Sequence, residues 1–327
     1  MIVQRTRRNR KMGAIRRLVE ETTLQPADFV MPFFLIEGEN RREEIKSLPG
    51  VYRFSLDLVL KEAEKYHNLG IPAVALFPVI HPEKKDLLGS EALNENGLIP
   101  RALEALKTEI PSLCLITDIA LDPFTSHGHD GIVDSEGDVL NDATVDLLCK
   151  MALLLGASGA DLVAPSDMMD GRVGAIRETL DAHEMQDIGI LSYSAKYASA
   201  LYSPFRDALG SSLKFGDKKT YQMNPANSRE AVREARIDVE EGADMLMIKP
   251  ATFYLDIIAK IKEATHLPIC AYHVSGEYAM VMAASQWLEA PQVFHEALLS
   301  IKRAGADFIF SYAIPHVLPL LESRTCY

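Results

Sequence analysis

Eight short apolar runs, each bounded by turn residues and separated from the next by longer stretches, constrain this chain more than any other feature. They lie at residues 29–35, 73–79, 113–118, 162–165, 188–192, 245–249, 269–273 and 308–312. Several intervening segments, among them 56–68, 143–155, 228–241 and 293–304, carry apolar residues at helical spacing. The runs are too uniformly apolar for strands with one wet face, so they read as strands buried on both faces of a parallel sheet. Eight such units favour a closed (β/α)8 TIM barrel over an open doubly wound sheet. No Gly-x-Gly-x-x-Gly turn follows an early strand, which argues against a dinucleotide-binding fold. A weak internal echo, Gly159-Ala-Asp161, Gly242-Ala-Asp244 and Gly305-Ala-Asp307, marks helix ends that lead into strands. With no Ser/Pro linker dividing it, the chain reads as an N-terminal arm over residues 1–28 and one catalytic barrel over 29–327.

The 327 residues, 48% hydrophobic and 24% charged, suit an ordinary globular protein of one large domain. No stretch approaches the roughly 18 uninterrupted apolar residues of a membrane helix, and no signal-peptide core opens the chain, so a cytoplasmic protein without a membrane partner is expected. Four cysteines, Cys114, Cys149, Cys270 and Cys326, are too few and too scattered for a disulfide framework and read as reduced, mostly buried thiols. A net charge of −12 excludes general affinity for nucleic acid. The arm is the exception: Arg5, Arg7, Arg8, Arg10, Lys11, Arg16 and Arg17 all precede the first acidic residue, Glu20. Such a run fits an arm docking on an acidic neighbouring subunit, with an organellar presequence or a nucleic-acid arm as alternatives.

In a (β/α)8 barrel the chemistry sits at the C-terminal ends of the strands. Here those ends are polar. Asp118, Ser166, Asp167, Tyr193 and Lys196 follow strands three to five, and Lys249, His273, Ser275, Ser311 and Tyr312 follow strands six to eight. Two lysines in that ring are the chemical signal. A desolvated lysine loses preference for its charged form, two close together depress each other further, and a neutral amine attacks carbonyls. Lys249, after the apolar Met245-Leu-Met-Ile248, is the stronger nucleophile candidate. Ser194 and Ser199 around Lys196 are candidates either to orient it or to cap the following helix. Residues 197–222 lack clear periodicity and read as a lid whose basic residues either meet an anionic substrate or form a solvated loop surface. The segment from Asp122 to Asp130, with His127 and His129, offers ligands for a divalent ion or is simply a polar turn. Glu230 and Glu234 share one helix face, ordinarily a solvated one.

The most specific blocks are Thr125-Ser-His-Gly-His129, Val163-Ala-Pro-Ser-Asp-Met-Met-Asp-Gly-Arg-Val173, Ser194-Ala-Lys-Tyr-Ala-Ser199, Pro204-Phe-Arg206, Lys249-Pro250 and Tyr272-His-Val-Ser-Gly-Glu277. Along nearly its whole length the chain resembles the porphobilinogen synthase (5-aminolevulinate dehydratase) family. The resemblance implies a lyase that condenses two 5-aminolevulinate molecules to porphobilinogen with loss of two waters, a step of tetrapyrrole (heme) biosynthesis. It implies imines at Lys249, with the substrate that supplies the propionate side of the product, and at Lys196, with the other. It maps carboxylate anchors onto Ser275 and Tyr312 for the first substrate and onto Arg206, Lys218 and Gln222 for the second. Asp118, from its strand-end position, is expected to orient the lysines or accept a proton. Where zinc-type members carry three cysteines this chain has Ala120, Asp122 and Asp130, so it resembles the aspartate-type, Mg²⁺-dependent variant and lacks a catalytic thiolate zinc site. Glu234 matches the glutamate of the family's allosteric Mg²⁺ site. Asp122 and Asp130 are left as either ion ligands or substrate contacts. No organic cofactor is implied, and the basic arm matches one that wraps a neighbouring barrel in a homo-octamer.

Overall fold

The computed structural model describes residues 4–323. Its single sheet closes on itself. The barrel strands are β1 (Phe29–Ile36), β4 (Ala73–Pro78), β5 (Cys114–Ile119), β6 (Leu162–Pro165), β7 (Gly189–Lys196), β8 (Met245–Lys249), β9 (Ile269–His273) and β10 (Phe308–Ser311). They pair in parallel from β4 through β10, and β1 joins β4 on one side and β10 on the other. This is the (β/α)8 barrel that the apolar runs predict. Two strands are additional: β2 (Arg42–Glu44) and β3 (Tyr52–Ser55) form an antiparallel pair that sequence reading missed, because β2 is short and wholly polar. β1 pairs with β10 through Phe29 and Val30 and then with β3 through Phe34 to Ile36, so the annex continues the wall where β10 has ended.

Helices cover the outside, each presenting an apolar stripe. In Leu56–Asn68 the buried residues are Val59, Ala63 and Tyr66, spaced to fall on one face. In the arm, neither the turn Thr6–Arg10 nor the helix Gly13–Leu18 buries a residue. The first three residues of the arm and Cys326 lie outside the described residues, and Cys114, Cys149 and Cys270 are free thiols.

The repeated Gly-Ala-Asp segments serve the N-terminal rim. Gly159, Gly242 and Gly305 end their helices with positive φ. Each aspartate then exchanges two hydrogen bonds with the neighbouring strand. Its amide donates to the carbonyl of Leu115, Ile190 or Ile269, and its carboxylate accepts from that same residue's N–H at 2.7–2.8 Å. Asp161 and Asp307 also pair with Lys107 and Lys262.

Candidate active site

The two lysines meet through an irregularity. In β7 and β8, Leu191 faces Met245 and Ser192 faces Leu246, but Ala195 then faces Ile248 and Lys196 faces Lys249. Three steps along β7 match two along β8, so β7 carries a bulge of one extra residue. Side chains alternate along a strand, so if the same residues paired regularly past Ser192, Ala195 would face Lys249 and Lys196 would turn to the other side; the bulge takes up the one-residue excess. The strand therefore runs past Ser192, where the apolar run ends, and delivers Lys196 at its last position.

Lys249 sits in an aromatic cage, its Nζ 4.7 Å from the Tyr272 ring centre, 4.8 Å from Phe205, 5.1 Å from Tyr193 and 5.3 Å from Tyr202. Burial, reinforced by the nearby Lys196 charge and only partly opposed by Asp118, pulls its pKa down to about 7. Lys196 has a different setting: its Nζ donates to the Ser166 carbonyl and lies 3.4 Å from Asp130. The Lys249 backbone is held as well, since its carbonyl accepts from the Tyr202 hydroxyl at 3.0 Å. Just beyond it, the amides of Ala251 and Thr252 donate to the buried Glu277 carboxylate, which also accepts from Val274 N–H at 2.6 Å. Glu277 thus caps its own helix and anchors the loop after β8.

Three carboxylates stand opposite the lysines. Burial, together with the Asp122 charge, pushes Asp118 up to about 6 against the pull of Lys196 and Lys249. Asp122 is raised by burial and by Asp130, with Lys218 opposing. Asp130 is buried too, but Lys196 and Lys218 outweigh the desolvation and hold it well below the usual carboxylate range. Lys218 reaches in from the lid, 2.7 Å from Asp130 and 3.6 Å from Asp122, and these two aspartates raise its pKa despite burial. The expected substrate residues Arg206, Lys218 and Gln222 line one cavity with Asp118, Lys196 and Lys249.

Ser275 and Tyr312 lie off its wall. The Ser275 hydroxyl donates to Leu201 O and accepts from Phe205 N–H, while Tyr312 shares a 2.8 Å hydrogen bond with Tyr272. Phe205 packs on Phe34, which stacks on Tyr312. The lid is more regular than its sequence suggests: a turn at Ala200–Tyr202 and a helix at Ser203–Leu209 precede an irregular stretch, residues 210–222. Gly276 permits this docking, because a Cβ there would stand 2.5 Å from Leu201 O.

Other expectations resolve locally. The Ser199 side chain caps the turn that follows it, whereas Ser194 bonds back to Ser192 O and does not orient Lys196. His127 and His129 do not point at one ion. His127 bonds Leu87 O, and His129 bonds Tyr221 OH and Phe215 O in the lid region. Among the described residues, no three His, Cys, Asp or Glu side chains converge to hold a metal. Glu234 lies in a separate cleft with Asp138, Asn141, Asp170 and Glu230. Sequence reasoning missed the cage residues Tyr202 and Phe205; the family block Pro204-Phe-Arg206 contained one of them.

A barrel that sets two lysines side by side at the C-terminal ends of adjacent strands, one of them desolvated to near neutrality, defines an imine-forming enzyme of the lysine-nucleophile class. The chain belongs to the delta-aminolevulinic acid dehydratase family, whose model matches residues 3–320. It is 55% identical over 321 residues to the delta-aminolevulinic acid dehydratase of Chlamydia pneumoniae, covering 98% of this chain and 96% of that one. It is 50% identical over 323 residues to the Bradyrhizobium diazoefficiens enzyme of that name, covering 98% and 91%. The crystal structure of the Toxoplasma gondii enzyme in complex with its reaction product porphobilinogen superposes with a TM-score of 0.95 at 50% identity, covering 97% of this chain and 91% of that one. No helix among the described residues is long and apolar enough to cross a membrane.

Proposed function

We propose that this chain condenses two 5-aminolevulinate molecules to porphobilinogen with loss of two waters, through imines at Lys249 and Lys196. The observation that carries this reading is the register of the two lysines on adjacent strands. With a pKa near 7, Lys249 supplies the neutral amine that attacks the ketone of one substrate. Loss of water leaves a protonated imine that withdraws electrons and acidifies the adjacent carbon, so that an enamine forms. Asp118, pushed up to about 6, is suited to take that proton and return one later. Lys196 binds the second substrate, whose amine and carbonyl meet the first in the shared cavity, and both lysines are released when product leaves.

The second substrate's carboxylate is assigned to Arg206, Lys218 and Gln222. For Gln222 the group assigned to the carboxylate is the side-chain NH2, since its buried oxygen, which has no hydrogen-bond partner among the described residues, can only accept. The first substrate's carboxylate is assigned to Ser275 and Tyr312, which requires the lid backbone at Leu201 and Phe205 to release Ser275. Asp122 and Asp130 are assigned to holding Lys218 and Lys196 rather than an ion.

Mg²⁺ is proposed at Glu234. Burial and the charges of Asp238, Asp170 and Glu230, with Arg172 opposing, raise the Glu234 carboxyl. Since no three ligand side chains converge there among the described residues, Glu234 would hold a hard cation together with water or a neighbouring subunit. The ion would neutralise Glu234 and act on assembly, away from the chemistry. A homo-octamer gripped by the basic arm and a cytoplasmic setting complete the proposal; free Cys114, Cys149 and Cys270 support the latter.

Borohydride trapping with 5-aminolevulinate, read by mass spectrometry of the Lys249 and Lys196 peptides beside a colorimetric porphobilinogen assay, tests the reading. Adducts at both lysines and colour formation are expected. Absence of an adduct at either lysine would sink it, and an adduct at Lys249 alone would replace it with single-lysine, aldolase-like chemistry. EDTA should lower activity and alter oligomer size together, and a zinc-selective chelator should do neither.

A further inference from the structure

Two charged residues occupy apolar positions and are not used in the proposed chemistry. In the helix Arg172–Ala182 the buried stripe runs Arg172, Ile176, Leu180, and in Arg229–Glu240 it runs Ala231, Ala235, Asp238. Spacings of four and three residues turn both charges inward. Arg172 is 3% exposed and Asp238 1% exposed, so each has given up its hydration. They form an ion pair at 2.9 Å. The second guanidinium nitrogen of Arg172 extends to the β7 bulge, donating to Ser192 Oγ at 3.3 Å and to the Tyr193 carbonyl at 3.2 Å. Ser192 in turn donates to Asp238 at 2.6 Å.

These bonds fall at the point where the ladder between β7 and β8 skips a residue. A bulge leaves backbone groups without ladder partners, and buried groups of that kind need donors from elsewhere. Arg172 supplies one, and its planar fork lets one side chain hold Asp238 and the bulge at once.

We propose that Arg172 and Asp238 are positioning residues for Lys196: their ion pair fixes the one-residue bulge in β7 and thereby keeps Lys196 on the same face as Lys249. The inference rests on the two-imine reading above. Neither residue reaches the substrate. Their effect is transmitted through Ser192 and Tyr193 to the strand end four and three residues farther on.

The test uses Arg172→Lys, which keeps the charge beside Asp238 and beside Asp167, 3.9 Å away, but cannot fork, and the triple variant Arg172→Met, Asp238→Leu and Asp167→Asn, which removes the three buried charges together and so avoids stranding one. Three quantities are read in the full chain: Lys196 and Lys249 trapping by borohydride with 5-aminolevulinate, kcat, and hydrogen–deuterium exchange of peptides covering residues 192–197. In whichever variant folds, Lys196 trapping and kcat should fall by about 10- to 100-fold, the scale of a misplaced reacting group. Lys249 trapping should hold within about twofold, and exchange at 192–197 should quicken. A purely structural role would lower both adducts alike or neither. Equal loss at the two lysines, or unchanged exchange at 192–197 in a folded variant, overturns the proposal. Failure of the wild type to form either adduct refutes the two-imine reading instead, and the exchange data then decide alone whether Arg172 holds the bulge.

Discussion

The two rims of the barrel use the same residue types to opposite ends. At the N-terminal rim, Asp161, Asp244 and Asp307 each take a strand amide, and two of them add a surface lysine. The lysines Lys107 and Lys262 remain about a third or more exposed there, and water does most of the work of solvating their charge. At the C-terminal rim, Asp118, Asp122 and Asp130 face Lys196, Lys218 and Lys249 inside a cavity that residues of the lid help to line. There the charges must solvate one another, and they divide unequally. Asp130 is held ionised between two lysines, while Lys249, walled by rings, is left to lose its proton near pH 7. Exposure turns an aspartate–lysine pair into a fastener, and burial turns it into a reagent.

The comparison breaks first at Lys249. Lys249→Met should reduce porphobilinogen formation by on the order of 10⁴-fold or more, as loss of a covalent nucleophile does, with no loss of thermal stability because an aliphatic chain replaces a desolvated amine. Next, Asp118→Asn should cost about 10²- to 10³-fold in kcat, the range for a positioned acid–base group.

The pH profile sharpens the same point. The nucleophile works neutral, so kcat/KM should climb as pH rises through about 7 and level off above it. Asp118 favours the charged lysine, so in Asp118→Asn that limb should move to lower pH; a shift to higher pH would contradict the electrostatic assignment. At the other rim, Asp244→Ala removes the acceptor for Ile190 N–H and should lower unfolding free energy by about 1 kcal/mol, leaving turnover per folded molecule unchanged. Smallest of all, Lys262→Ala should change stability by less than about 0.5 kcal/mol in denaturant titrations, because its pair with Asp307 is solvent-exposed.

Much of this was legible in the sequence because barrel strands leave an uninterrupted apolar signature. All eight apolar runs correspond to barrel strands, and the segment 56–68 is one of the covering helices. The annex β2 and β3 escaped because one polar residue triplet carries no periodicity. The end of β7 escaped for a different reason. Past Ser192 the run turns polar, Ser-Tyr-Ser-Ala-Lys, and a strand whose last turn is lined by hydroxyls and a lysine looks like a loop until the bulge and its partners are seen. The lid helix Ser203–Leu209 is two turns long, too short to impose a period. The sequence reading passed over Arg172 and Asp238, because charges in a helical stripe ordinarily belong to its solvated face; here they mark a place where two outer helices reach through to β7.

The bulge in β7 carries a consequence of a numerical kind. In the proposed chemistry the number of residues between Leu191 and Lys196, taken with the bulge, decides which of two faces the amine occupies. Exchanging one side chain for another within this interval leaves the tally intact. Inserting a single codon there, with the bulge held, would turn the amine to the other face, whereas deleting one would close the bulge and leave the two lysines in register.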